Sequence, residues 1–249
     1  MIVIKSKNEI AIMREAGRIV AEVEQVLREK VKPGVTTADL DALAYASITQ
    51  RGATPSFKGY RGFPGSICTS INQEVVHGIP SKRRVLNEGD IIAIDIGATL
   101  KGFVGDGAFT LGVGNVSDSA RRLMQVTEAA LMVGIAQARA GNHLDDISGA
   151  VQDYAEERGF SLVREYVGHG VGRTMHEEPQ IPNYRQDKRG PVLKPGMTLA
   201  IEPMVNEGRW ETRTLRDKWT VVTKDGKLSA HFEHTVAVTE GEPDILTRL

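Results

Sequence analysis

The sequence predicts an α+β fold of two similar halves, each with outer helices over antiparallel sheet. The first observation behind this is an internal repeat. Residues 85–95 read VLNEGDIIAID and residues 192–202 read VLKPGMTLAIE, a shift of 192 − 85 = 107 that pairs Gly89 with Gly196, Ala93 with Ala200, Ile94 with Ile201 and Asp95 with Glu202. The same shift pairs Gly34 with Gly141, Asp39 with Asp146, Arg51 with Arg158 and Gly52 with Gly159. The second observation is the order of elements, which runs helix, helix, strands in both halves and so favours antiparallel sheet over alternating βαβ units. Two copies at a spacing above ~50 residues do not make a solenoid. Residues 1–249 are therefore expected to form one domain, its halves about 1–113 and 114–249 packed face to face around a cleft that receives acids from both.

Each element follows from local chemistry. Apolar residues at Ile10, Met13, Gly17, Val20, Val23 and Leu27 fall at helical spacing from Asn8 to Lys30, and Pro33-Gly34 ends the segment. A second helix is expected from Thr36 or Thr37, where a hydroxyl can cap free N–H groups, to near Gly52. Residues 53–80, rich in glycine, proline and aromatics, read as loops and short strands. Two strands follow, Asp90 to Leu100 and Gly102 to Val113, joined at Lys101-Gly102. The second half is expected to hold helices from Ser117 to Ala140 and Asp145 to Arg158, then strands over Leu162 to Tyr166 and Met197 to Val205. Two closing strands, Lys218 to Lys224 and Lys227 to Val238, flank a turn at Asp225-Gly226.

Composition excludes several classes. With 31 basic and 32 acidic residues the chain has no bulk field for nucleic acid or an anionic membrane. No apolar run approaches the ~20 residues of a membrane span, and the amino terminus lacks the pattern of a secretory signal. A single cysteine, Cys68, rules out an internal disulfide and fits a reducing compartment, so a cytoplasmic protein is expected.

Chemistry is concentrated in acids set among apolar residues. Asp95 interrupts the strand-like run IIAIDI, where a lone ionised carboxylate is costly to bury. One such acid can be an edge-strand residue facing water. Glu202 in AIEP and Glu233 in HFEH repeat the pattern, and Asp106 lies one short turn from Asp95. Carboxylates converging in one cleft raise one another's pKa unless a cation compensates them. With His169 of GHGVGR they form a donor set suited to two divalent transition ions, which usually means hydrolysis. His77 in VVHGIP and His176 in TMHEEP read either as hydrogen-bonded structural residues or as donors to a substrate amide. Tyr60, Phe63, Cys68, Met175 and Trp219 are scattered, and read as core unless one pocket gathers them.

Together VVHGIP, IDIG with a following GD, GHGVGR with MHEEP, AIEP and WTVVTKDGKLSAHFEHTV span almost the whole chain. In this combination the sequence resembles the type I methionine aminopeptidases, metallopeptidases of the pita-bread fold. The resemblance implies two pseudo-symmetric half-domains and a hydrolase that removes N-terminal methionine from nascent proteins and peptides when the second residue is small. It implies attack on the first peptide bond by a hydroxide held at two metal ions, with Co, Mn, Fe and Zn all suited to the ligands. Asp95, Asp106, His169, Glu202 and Glu233 would be those ligands, with Asp106 and Glu233 bridging, and Glu202 would accept a proton. His77 and His176 would contact the scissile peptide, and Tyr60, Phe63, Cys68, Met175 and Trp219 would line the methionine pocket. The expected partners are polypeptide N-termini and, transiently, the ribosome, with no membrane and no sequence-specific nucleic acid; a monomer is expected. Gly107, Phe63 and Met175 depart from the residues frequent in these enzymes, threonine, tyrosine and phenylalanine respectively.

Overall fold

The computed structural model describes residues 1–249. Four helices form, α1 Lys7–Lys30, α2 Thr37–Gln50, α3 Asp118–Ile135 and α4 Leu144–Glu156. The strands are β1 Thr54–Pro55, β2 Ile67–Ile71, β3 Glu74–Val76, β4 Ile91–Leu100, β5 Phe103–Gly112, β6 Ser161–Leu162, β7 Gly168–Gly170, β8 Glu177–Ile181, β9 Thr198–Ile201, β10 Met204–Asn206, β11 Thr212–Thr214, β12 Val221–Thr223, β13 Ser229–His231, β14 Glu233–Ala237 and β15 Asp244–Ile245. The mixed α/β class and the antiparallel pairing stand as expected, since every strand pair is antiparallel.

The main sheet runs β1-β4-β5-β14-β9-β7-β8, with β2 also on β4 and β15 on β14. Helix α1 packs across β4 and β5 and buries Met13, Ala16, Val20, Val23 and Leu27. It approaches closely because glycines meet there: a Cβ on Gly105 of β5 would stand 2.6 Å from the backbone nitrogen of Gly17. The helix is started by a capping box in which Ser6 accepts from the Glu9 N–H and Glu9 accepts from the Ser6 N–H. Helices α3 and α4 pack on each other and cover the second half.

The repeat reappears in backbone hydrogen bonding. Gly34 donates to Leu86 and Gly141 to Leu193, at 2.8 and 3.0 Å. Thr36 bridges Val85 as His143 bridges Val192. The Arg51 guanidinium donates to the Ser47 carbonyl as Arg158 donates to Tyr154. Each pair obeys the shift found in the sequence, so equivalent residues perform equivalent local tasks.

Several expected elements are broken or shorter. The strand over Met197 to Val205 is two strands, because Pro203 has no N–H to continue the ladder. The strand over Lys227 to Val238 breaks at Phe232, which separates β13 and β14 into different sheets. The turn at Asp225-Gly226 forms, with Gly226 at φ 77°, but its flanks do not pair: β12 joins β11 and β3 while β13 joins β10. Of the strand expected over Leu162 to Tyr166 only Leu162 is in a strand, the second residue of β6, and α3, expected to reach Ala140, stops at Ile135.

Candidate metal centre

Strand register carries the acids onto one face of the main sheet. Asp95 of β4 lies opposite Ala108 of β5, and Ala108 lies opposite Glu233 of β14, so acids from both halves share a row with a small side chain between them. Side chains two apart on a strand share a face, which adds Asp106. A second row runs from His169 through Ala200 to Thr235, two residues from Glu233, and sends the imidazole to the same face. Glu202 comes from the break after β9, where Asn183 Nδ2 holds its carbonyl at 3.1 Å.

Donor atoms of Asp106, His169 and Glu233 lie within 4.8 Å of one another. His169 Nε2 is 3.4 Å from Glu202 Oε1 and 3.9 Å from Asp106 Oδ2. The only ionic partners of the four acids are histidine rings. Burial and neighbouring acids push the carboxyls of Asp95, Glu202 and Glu233 well above the usual range, and burial raises Asp106 to about 7. Burial, with His176 beside it, lowers His169 to about 4, so the ring is neutral. Its Nδ1 lies 2.9 Å from the Gly170 carbonyl, and donation there leaves the Nε2 lone pair facing the acids.

The arrangement fits divalent cations. Asp95 Oδ1, Asp106 Oδ1 and Glu233 Oε1 are buried without a hydrogen-bond partner, a costly state for carboxylates unless positive charge meets them. Oxygen donors with one neutral imidazole and no thiolate suit borderline transition ions.

Beside the acids is a cavity of about 150 Å³, and all twelve residues singled out in the sequence border it. Cys68 lies opposite Asp95 in the β2–β4 ladder, so metal-facing and apolar walls adjoin. Phe63 meets Trp219 edge-on with centroids 5.1 Å apart, and Met175 and Cys68 are buried with them. Tyr60 Oη is 2.9 Å from His176 Nδ1; donation from the phenol leaves the imidazole N–H on Nε2. His176 is lowered from its ordinary value by burial and by the Arg61 charge. His77, at φ 60°, sits edge-on to Tyr166 and Trp219 and is lowered to about 4 by burial and by His176.

Phe57 and Arg61 also border the cavity and escaped sequence reasoning. Arg61 had a usable signal, since it sits in GYRGF between two glycines and takes φ 49°. Gly107 lies on the opposite face from the acids: a Cβ there would meet Val20 Cγ1 at 3.2 Å. The departure at that position therefore bears on packing against α1.

The sequence profile of metallopeptidase family M24 matches residues 11–240. Methionine aminopeptidase 1 of Bacillus subtilis is 57% identical over 249 residues and covers 100% of both chains. The crystal structure of a methionine aminopeptidase from Thermotoga maritima superimposes with a TM-score of 0.98 at 45% identity, again over 100% of both chains. An Xaa-Pro dipeptidase from Bacillus anthracis shares the fold, with a TM-score of 0.78 at 24% identity over 99% of this chain and 62% of its own. With its pita-bread fold and near-complete match, the chain belongs to metallopeptidase family M24 and, within it, to the methionine aminopeptidases, which are hydrolases.

Proposed function

We propose that the protein removes N-terminal methionine from peptides and nascent polypeptides whose second residue is small, using two divalent ions held by Asp95, Asp106, His169, Glu202 and Glu233. The observation that supports it best is the set of buried, unpartnered carboxylate oxygens beside an apolar cavity of side-chain size. Ions bound there would activate water near neutral pH and stabilise negative charge on the scissile carbonyl.

The chain's own groups account for the rest. The methionine side chain enters the lining of Phe63, Cys68, Met175, Trp219 and Tyr60, whose aromatic and sulfur atoms suit a thioether. Glu202, which borders the cavity with Oε1 3.4 Å from His169 Nε2, accepts the proton released by the attacking water. His176 donates from Nε2 to the peptide carbonyl, and its bond to Tyr60 fixes the ring. His77, edge-on to Trp219 on the same cavity, contacts the same peptide. Selection of a small second residue rests on the resemblance to methionine aminopeptidases, and comparison of Met-Ala-Ser with Met-Lys-Ser tests it.

We further read residues 1–249 as one catalytic domain acting as a monomer in the cytoplasm, with transient ribosome contact. No helix is long and apolar enough to cross a membrane. The deciding experiment loads the protein with Mn²⁺ and compares Met-Ala-Ser, Met-Lys-Ser and Leu-Pro peptides. Release of methionine from Met-Ala-Ser alone is expected; equal turnover of Leu-Pro would overturn the assignment. Glu202→Ala and Glu233→Ala are expected to stay folded and lose activity.

A further inference from the structure

We propose that His231 is a positioning residue that holds Glu202 from behind, out of reach of substrate. This rests on the reading of Glu202 as ion ligand and proton acceptor. His231 is 1% exposed and is absent from the cavity wall. Its Nε2 is buried with no hydrogen-bond partner, and Glu202 Oε2 lies 3.6 Å away. The other oxygen of Glu202, Oε1, is 3.4 Å from His169 Nε2. The carboxylate is therefore spanned by two imidazoles, one facing the cleft and one behind it.

The backbone fixes this spacing. His231 lies opposite Met204 in the β13–β10 pair, and Met204 follows Glu202-Pro203 directly, so both residues are tied to the same strand end. Thr110 clamps His231 twice: its hydroxyl donates to the His231 carbonyl at 2.7 Å and accepts from the His231 N–H at 3.0 Å. With the ring proton on Nε2, a closure of a few tenths of an ångström makes a hydrogen bond to Oε2. Such contacts are often long before substrate and ions are bound and tighten afterwards. Oriented in this way, Glu202 presents Oε1 to the ion site and cannot rotate away during proton transfer. Partners of this kind typically contribute ~10–100-fold to metal affinity or activity.

The test uses full-length protein and three variants. His231→Leu keeps bulk and removes the donor, His231→Gln restores an N–H at similar reach, and His231→Met is a second apolar replacement should leucine fail to fold. Thermal unfolding of each metal-free protein checks folding. Mn²⁺ binding to the metal-free protein is measured by calorimetry, and kcat and KM are measured on Met-Ala-Ser. The apolar variants should lose about 10–100-fold in kcat with KM within about twofold, and should bind Mn²⁺ more weakly; His231→Gln should recover most of both. Native kcat and Mn²⁺ affinity in a folded apolar variant, or a glutamine variant as impaired as leucine, would overturn the proposal. Glu202→Gln separates the two levels of inference. If it stays active, the role of Glu202 fails and the inference with it; if it is inactive while His231→Leu is not, the inference alone fails.

Discussion

Lys5 and Glu177 form a buried ion pair, Nζ to Oε2 at 2.5 Å, that ties the first residues of the chain to the loop carrying Met175 and His176. The other oxygen of Glu177 accepts from the backbone N–H groups of Arg173 and Thr174. Removing one partner strands a charge in the interior, a loss of ~3–5 kcal/mol in comparable pairs. Lys5→Met and Glu177→Gln are each expected to lower the guanidinium midpoint, and the double variant to lose less than the sum. Additive losses would show that the two groups do not depend on each other. Because His176 adjoins Glu177, methionine release should fall in all three.

Metal-free protein should weaken as pH rises. Asp95, Asp106, Glu202 and Glu233 hold protons more tightly folded than unfolded, so their favourable contribution is complete below the unfolded carboxylate range and is lost as pH passes their folded values, about 7 for Asp106. The half-buried His77 and the buried His169 and His231 have lowered values and act in the opposite sense, but their contribution is already complete above 6.5. From about pH 6.5 to 8.5, stability in chelator should fall by ~1.4 kcal/mol per pH unit for each carboxyl still releasing its proton. That corresponds to roughly 3–6 °C in Tm per unit. Saturating Mn²⁺ should flatten the curve, and a metal-free Tm that holds steady across this range would contradict the account.

Asp106→Asn separates repulsion from structure. The amide keeps the shape and removes one charge from a crowded, buried group of acids, so the metal-free variant should be more stable than the parent near pH 8 by ~1–3 kcal/mol. It should also bind Mn²⁺ far more weakly. Urea midpoints without metal, alongside calorimetric titration, check both; a destabilised metal-free variant would show that Asp106 carries a structural bond in its own right.

What was legible in the sequence is what local chemistry decides. Helix α1 follows from apolar spacing and α2 from its threonine cap, and β4 and β5 from an apolar run turned at Lys101-Gly102, whereas the Ser6 cap of α1 was not anticipated. The acids were legible because a carboxylate in an apolar strand demands a reason. The breaks after Ile201 and His231 were not, since strands buried on both faces read as continuous apolar runs and sheet pairing elsewhere decides where they part. Phe57 and Lys5 are ordinary residues locally, and their importance comes from contacts distant in sequence: Lys5 reaches Glu177 across 172 positions.

The glycine contact under the metal centre should be intolerant of even one methyl group. Gly105 faces α1 while its neighbour Asp106 faces the cleft, so the two faces of β5 carry packing and chemistry separately. A Cβ at Gly105 would stand 2.6 Å from Gly17 N and 2.7 Å from Ala16 C, both backbone atoms that move only if the helix moves. Gly17 itself is pressed against the Leu246 carbonyl, so α1 has no free direction of retreat. Overpacking of this kind costs ~1–3 kcal/mol, and a rigid backbone neighbour puts Gly105→Ala at the upper end, a fall of roughly 6–12 °C in Tm. Gly241→Ala is the control, because its nearest atom, Thr239 Oγ1, is 3.9 Å from the added carbon; it should leave Tm within about 1 °C. If β5 yields instead of α1, Asp106 shifts with it and Mn²⁺ affinity falls in parallel with Tm. Scanning calorimetry with and without Mn²⁺ reads both effects, and an unchanged Tm in Gly105→Ala would mean that α1 and β5 are not in the close contact described.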